Sequence, residues 1–122
     1  MNLDGALMFL TKDIDSEEYP IYNQPGMKGV RRRPLLNPDN SSKNFAIRMY
    51  TIESGGHTSY DIHPHEHGVY IFSGEVTVKI GEQELLLHSG DVLHIGGNEP
   101  HQFFNHGTEL VKFLCVRNFT TV

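Results

Sequence analysis

Residues 55–74 read GGHTSYDIHPHEHGVYIFSG, and the reading of that stretch decides the fold. Gly55-Gly56 at one end and Ser73-Gly74 at the other are turn compositions, because glycine supplies the positive φ that tight turns require. Between them Gly68–Phe72 is rich in β-branched and aromatic side chains, which suit a pleated, half-buried surface. The pattern repeats outward along the chain. Candidate strands are Phe45–Glu53, His57–His63, Gly68–Phe72, Glu75–Ile80, Gln83–His88, Val92–Ile95, Gln102–Asn105 and Leu110–Asn118. Further breaks fall at Gly81-Glu82, Ser89-Gly90-Asp91, Gly96-Gly97-Asn98 and His106-Gly107. Almost no stretch has helical periodicity, so the chain reads as all-β, a sandwich or barrel of short strands.

Composition narrows what such a barrel does. A chain of 122 residues holds one core and therefore one site. No run approaches the roughly 20 apolar residues of a membrane helix. The start, MNLDGALMFLTKDID, lacks the basic segment and small-residue cleavage pattern of a secretory signal, so a cytoplasmic location and no membrane partner are expected. The formal charge is −5 and the one basic cluster is Arg31–Arg33, too little for binding a phosphate backbone, which argues against nucleic acid. The single cysteine, Cys115, excludes an intrachain disulfide and, within LVKFLCV, reads as a buried structural thiol.

Eight histidines are the informative feature, with His57, His63, His65, His67, His94 and His101 close together. On an extended strand alternate residues face one way, so Asp61 and His63 are expected on one face, about 7 Å apart. His67 follows after Pro64-His65-Glu66, a length suited to a bend into the next strand, and Gly96–Pro100 can turn His101 back to the same point. Three imidazoles and a carboxylate form a borderline-hard donor set, suited to Mn(II), Fe(II), Ni(II) or Zn(II) and poor for Cu(I) or Ca(II). His57 is in phase but about 13 Å from Asp61 along the strand, too far to share the ion. His88 and His106 read as solvated side chains, and His94 as a group near the pocket. The alternative ligand set exchanges Asp61 for His65.

The spacing carries a family resemblance. Gly55, five residues, Asp61-Ile62-His63, three residues, His67, six residues, Gly74 resembles the first cupin motif, G(X)5HXH(X)3,4E(X)6G. Gly90, five residues, Gly96-Gly97-Asn98, two residues, His101, three residues, Asn105 is similar to the second, G(X)5PXG(X)2H(X)3N. Asp61 stands where the family usually has a histidine and His67 where it has glutamate, while Gly96 and Asn98 replace the proline and glycine of the second motif. The resemblance covers Phe45 to Val116, and the N-terminal segment is consistent with small bacterial single-domain members, which include manganese-binding ones.

What the resemblance implies is a jelly-roll barrel, the cupin double-stranded β-helix, with one divalent metal at Asp61, His63, His67 and His101. Manganese or iron come first, zinc or nickel second. It also implies an enzyme acting on a small organic molecule, a metal-dependent oxidoreductase of dioxygenase type, with isomerase or decarboxylase chemistry next. The other reading is a non-catalytic small-molecule-binding or sensor domain on the same barrel. Phe103, Ile71, Phe113 and Met49 are expected to line the interior. Residues 1–44 are expected to form N-terminal strands and a loop joined to the barrel of residues 45–118. Met1–Leu10 and Gly29–Leu36 are the strand candidates there, and with one barrel to pair against they are expected to serve a homodimer.

Overall fold

Turn residues recur every few positions, so the chain can only build short strands, and each must bury its apolar face against another strand. A computed structural model describes residues 7–15 and 19–119. Among the described residues it contains eight strands and no helix. They are β1 (Lys28–Leu36), β2 (Phe45–His57), β3 (His67–Ser73), β4 (Glu75–Ile80), β5 (Gln83–His88), β6 (Val92–Ile95), β7 (His101–Phe104) and β8 (Val111–Asn118). All pairings are antiparallel, in the order β5-β4-β7-β2-β8-β3-β6, with β1 on the remaining edge of β2. The all-β expectation holds. Among the described residues no helix is long and apolar enough to cross a membrane.

The sheet curls because β2 bends. Its first part, Phe45–Ile52, pairs with β8, whereas His57 at its end pairs with Phe104 of β7. The bend lies at Ser54-Gly55-Gly56, where Gly55 takes φ 79°, a left-handed conformation that favours glycine. Asn105 pins it in place. Its backbone exchanges hydrogen bonds with Gly55 and Gly56, each 2.9 Å. Its side-chain amide donates to the carbonyls of Ile52 (2.9 Å) and Glu109 (2.8 Å) and accepts from the Gly107 N–H at 3.0 Å. The Asn105 side chain is 1% exposed, so these bonds have no water to replace them.

Alternation along the strands divides the apolar residues between two faces. Tyr50, Ile52, Val69, Ile71, Val76, Val78, Phe103 and Phe113 pack inside the curl. Met49 is in the other phase of β2 and packs outside, with Tyr19 and Leu35. Phe103, Ile71 and Phe113 therefore face inward as expected, and Met49 does not. Its neighbours Arg48 and Tyr50 occupy the inner face, so the pleat directs Met49 away.

Two further expectations are corrected. The segment His57–His63 is not a strand: β2 ends at His57, and only Asp61 makes a bridge, to His101. Thr58 bonds to Phe103 and Asp61 to His101, so three residues on one side match two on the other, which breaks the regular alternation. Gly29–Leu36 does form a strand, β1, but it pairs with β2 of its own chain. Of Met1–Leu10, residues 1–6 lie outside the described residues, and residues 7–10 form no continuous strand.

Replacing Asn105 by alanine removes three side-chain hydrogen bonds and leaves buried backbone groups without partners, which is expected to cost about 3 kcal/mol. Urea denaturation measures this, and His106→Ala, at an exposed position, should change stability far less.

Candidate metal centre

Three chain segments bring the imidazoles together. His67 begins β3, His101 begins β7, and His63 lies in the connection between β2 and β3. The Asp61 N–H donates to the His101 carbonyl and the His101 N–H to the Asp61 carbonyl, both at 3.0 Å. The connection is also clamped from the loop before β7. There the Asn98 N–H donates to the His63 carbonyl at 2.6 Å, with Asn98 at φ 63°, a conformation that asparagine tolerates better than most residues. Beside it, a Cβ on Gly97 would lie 2.5 Å from the Pro64 carbonyl oxygen. Only glycine lets the two loops approach this closely.

One ligand atom each from His63, His67 and His101 lies within 4.8 Å of the others. That is close to the ~4.2 Å separating opposite donors on an ion with ~2.1 Å metal–nitrogen bonds. The orientation of two rings is fixed from behind. His101 Nδ1 lies 2.9 Å from the Glu99 carbonyl, so it donates there and leaves Nε2 with the free lone pair. His67 Nδ1 lies 3.3 Å from Cys115 Sγ. The His67 Nε2 is buried and has no hydrogen-bond partner. An orphaned buried nitrogen aimed at two further imidazoles is the environment a metal ion satisfies.

Asp61 and His65 border this group in different ways. Asp61 accepts the Ser59 hydroxyl at 2.9 and 3.0 Å and places one oxygen 3.9 Å from His63 Nε2, outside the three-nitrogen cluster. His65 stacks on His63 with ring centroids 4.6 Å apart and meets His67 edge-on at 4.7 Å. The other histidines lie elsewhere. His57 contacts Phe104, His88 pairs with Glu75 at 3.0 Å, His94 pairs with Glu66 at 2.6 Å on the outer surface, and His106 stacks on Phe104. His94 is thus no pocket group.

The histidines open into a cavity of about 410 Å³, a volume that fits a small organic molecule. Its walls include Tyr50, Phe113 and Phe103, stacked in that order at 5.0 and 4.6 Å. Also in the wall are Cys115 and the arginines Arg32, Arg48 and Arg117, which the sequence reading did not assign. For Arg48 a signal was present, because it alternates with Tyr50 and Ile52 on β2. Cys115 is buried, as expected, but it sits beside the histidines rather than in a remote core.

Burial first, and then the neighbouring His101, His65, Arg48 and His63, push His67 down to about 3. Burial, followed by the Arg117 charge and smaller contributions from His63, Arg48 and His101, lowers His65 to about 4. Burial also lowers His63, against the raising effect of Asp61. These imidazoles are neutral near pH 7, the state in which histidine binds metal.

Comparison with known proteins agrees with this geometry. The family model described as Cupin domain matches residues 48–117, more than half of the chain. The chain is 32% identical over 105 residues to 1-methylthio-D-xylulose 5-phosphate methylsulfurylase of Rhodospirillum rubrum, covering 86% of this chain and 66% of that protein. It therefore spans just under two thirds of that relative's length. Among solved structures, a cupin-2 domain from Rhodospirillum rubrum superposes with TM-score 0.74 at 25% identity, covering 86% of this chain and 70% of that one. The polyketide cyclase RemF from Streptomyces resistomycificus shares the fold with TM-score 0.83 at 21% identity, covering 91% and 80%.

The depressed His67 gives the metal-free protein a defined pH dependence. The unfolded chain binds a proton at this residue near 6.5 and the folded chain only near 3. Between those values the unfolded state holds more protons, so stability is full above pH 6.5 and is lost as pH falls through the window. Thermal melts in chelator should give a lower midpoint at pH 5 than at pH 7, and His67→Gln should shrink the difference. With the barrel, both motif spacings and the family match in agreement, the chain belongs to the cupin family.

Proposed function

We propose that this cupin is a metal-dependent enzyme acting on a small organic molecule, with one divalent transition ion held by His63, His67 and His101. The observation that carries this reading is the buried, unpartnered Nε2 of His67 beside two more imidazoles. Asp61 is the proposed fourth ligand, once its carboxylate turns from the Ser59 hydroxyl, and His65 is its competitor. Manganese or iron are the ions the nitrogen-rich set with one carboxylate favours, with zinc or nickel next. Bound in a site with open positions, such an ion acts as a Lewis acid or anchors dioxygen chemistry, and dioxygenase-type oxidation is the proposed reaction class.

The chain's own residues prepare the site. Glu99 and Cys115 hold the rings of His101 and His67 from behind, and the Tyr50, Phe113 and Phe103 wall shields a bound molecule from water. That a 32% identical relative bears the name of an enzyme supports catalysis over sensing. Elemental analysis after loading with Mn(II) or Fe(II) should find about one ion per chain. His63→Ala or His101→Ala should abolish uptake, whereas His88→Ala and His106→Ala should leave it intact. Comparing Asp61→Asn with His65→Gln identifies the fourth ligand, which is the residue whose loss weakens ion binding. Ligands that bind without any product under air, equally well with and without metal, would instead make the protein a sensor.

A homodimer is proposed as the working assembly. The exposed apolar side chains of Leu7, Met8 and Leu10 support a role for the N-terminal segment in it. Deleting residues 1–10 should weaken association in light scattering, and an intact chain that is monomeric at micromolar concentration would count against the dimer.

A further inference from the structure

The inner wall carries positive charge that a metal centre does not explain. The whole chain is acidic, with formal charge −5. Its cavity nevertheless contains the guanidinium groups of Arg32, Arg48 and Arg117 and the carboxylate of Asp61 alone. Strand register places them together. Arg48 lies opposite Cys115 across β2 and β8, Arg117 opposite His67 across β8 and β3, and Arg32 opposite Tyr50 across β1 and β2. Arg48 shares its face with Tyr50 and Ile52, and Arg117 shares its face with Cys115 and Phe113, so alternation turns both toward the histidines.

Arg48 also faces a ring, that of Tyr50, but at 5.7 Å, the longest of the three contacts. Its Nη2 lies 3.6 Å from Cys115 Sγ, its Nε is buried with no hydrogen-bond partner, and among the described residues no carboxylate pairs with it. Burial pushes the Cys115 thiol and the Tyr50 phenol upward, so neither supplies a counter-charge near neutral pH. Arg32 lies over the Tyr22 ring at 4.0 Å, and Arg117 over the Phe119 ring at 4.0 Å while donating to the Asn118 carbonyl. Arg48 is half-buried, and a partly desolvated cation with its Nε unpaired and no anion beside it carries a cost. An oxyanion on Arg48 would relieve it.

We propose that the cavity takes a small organic molecule bearing a carboxylate or phosphate group, with Arg48 holding the oxyanion and Arg32 and Arg117 flanking it. The planar fork of a guanidinium matches either group with paired hydrogen bonds. Because Arg117 faces His67 across adjacent strands, the rest of the molecule reaches the histidine cluster. This deepens the enzymatic reading of the same pocket by naming its substrate class.

The test uses metal-free protein, with thermal shift and calorimetric titration at constant ionic strength. The probes are inorganic phosphate and malonate, with chloride and glycerol as controls. Both oxyanions should raise the melting midpoint above the chloride value, and the tighter one tells whether the natural group is a phosphate or a carboxylate. Arg48→Met should weaken that binding by about tenfold or more. In chloride alone it should melt no lower than the parent, because an uncompensated charge is replaced by an apolar side chain of similar length. Arg117→Gln, at a half-buried position, should also weaken phosphate binding and serves if the first variant does not fold. Absence of any shift beyond chloride, or parental phosphate affinity in both variants, would overturn the proposal. Arg48→Met should still take up one Mn(II), so failure of the anion site and failure of the metal site appear in different measurements.

Discussion

Two backbone hydrogen bonds between Asp61 and His101, each 3.0 Å, are the constraint on which the site depends. They join residues forty positions apart in the chain and fix the His63 connection beside the start of β7. Together with the Asn98 N–H bond to the His63 carbonyl, they set where His101 lies relative to His63. The pairing is short because Thr58 and Asp61, three residues apart, answer Phe103 and His101, two apart. A regular ladder would have continued past Asp61 as a strand. The irregularity instead frees Ile62 to Glu66 to turn, and it is this turn that carries His63 and His65 into the mouth of the cavity.

Around that pair, the surroundings of the histidines combine support with deficit. Glu99 and Cys115 satisfy the outer nitrogens of His101 and His67, while the inner nitrogen of His67 is left without a partner. Among the described residues, Arg48 Nε is the other buried side-chain atom in this state. Protein interiors rarely leave such groups unpaired, because each forfeits its hydration. Both residues line one cavity and both touch Cys115, one through a ring nitrogen and one through a guanidinium. The thiol thus links the histidine wall to the cationic one, a position quite unlike that of an inert core residue.

The family motifs acquire physical content in this chain. Asn105, at the end of the second motif, locks the bend of β2 through side-chain and backbone bonds together. Asn98 takes the positive φ for which the motif usually has glycine, and Gly97 supplies the close approach to Pro64. The exchange of proline for Gly96 and of glycine for Asn98 therefore leaves the loop competent to clamp His63. The exchange at Asp61 is different in kind. It replaces an imidazole with a shorter carboxylate, which rests on Ser59 while His65 packs against the cluster.

The sequence by itself determined the strand content, the positions of most turns, and the convergence of His63, His67 and His101. Those features rest on local rules: glycine in left-handed turns, β-branched and aromatic residues in strands, and ligand types at fixed spacing. It also marked Cys115 as buried, since an apolar run signals burial whatever surrounds it. Tertiary structure decided the rest. Whether Asp61 or His65 stands nearer the other rings depends on a mismatch in pairing between two distant segments, which no local pattern records. Whether Met49 or Arg48 faces the cavity depends on which phase of β2 is turned inward. The three arginines meet only through the registers of β1, β2, β8 and β3, because hydrogen bonds between strands, not distance along the chain, set which side chains become neighbours.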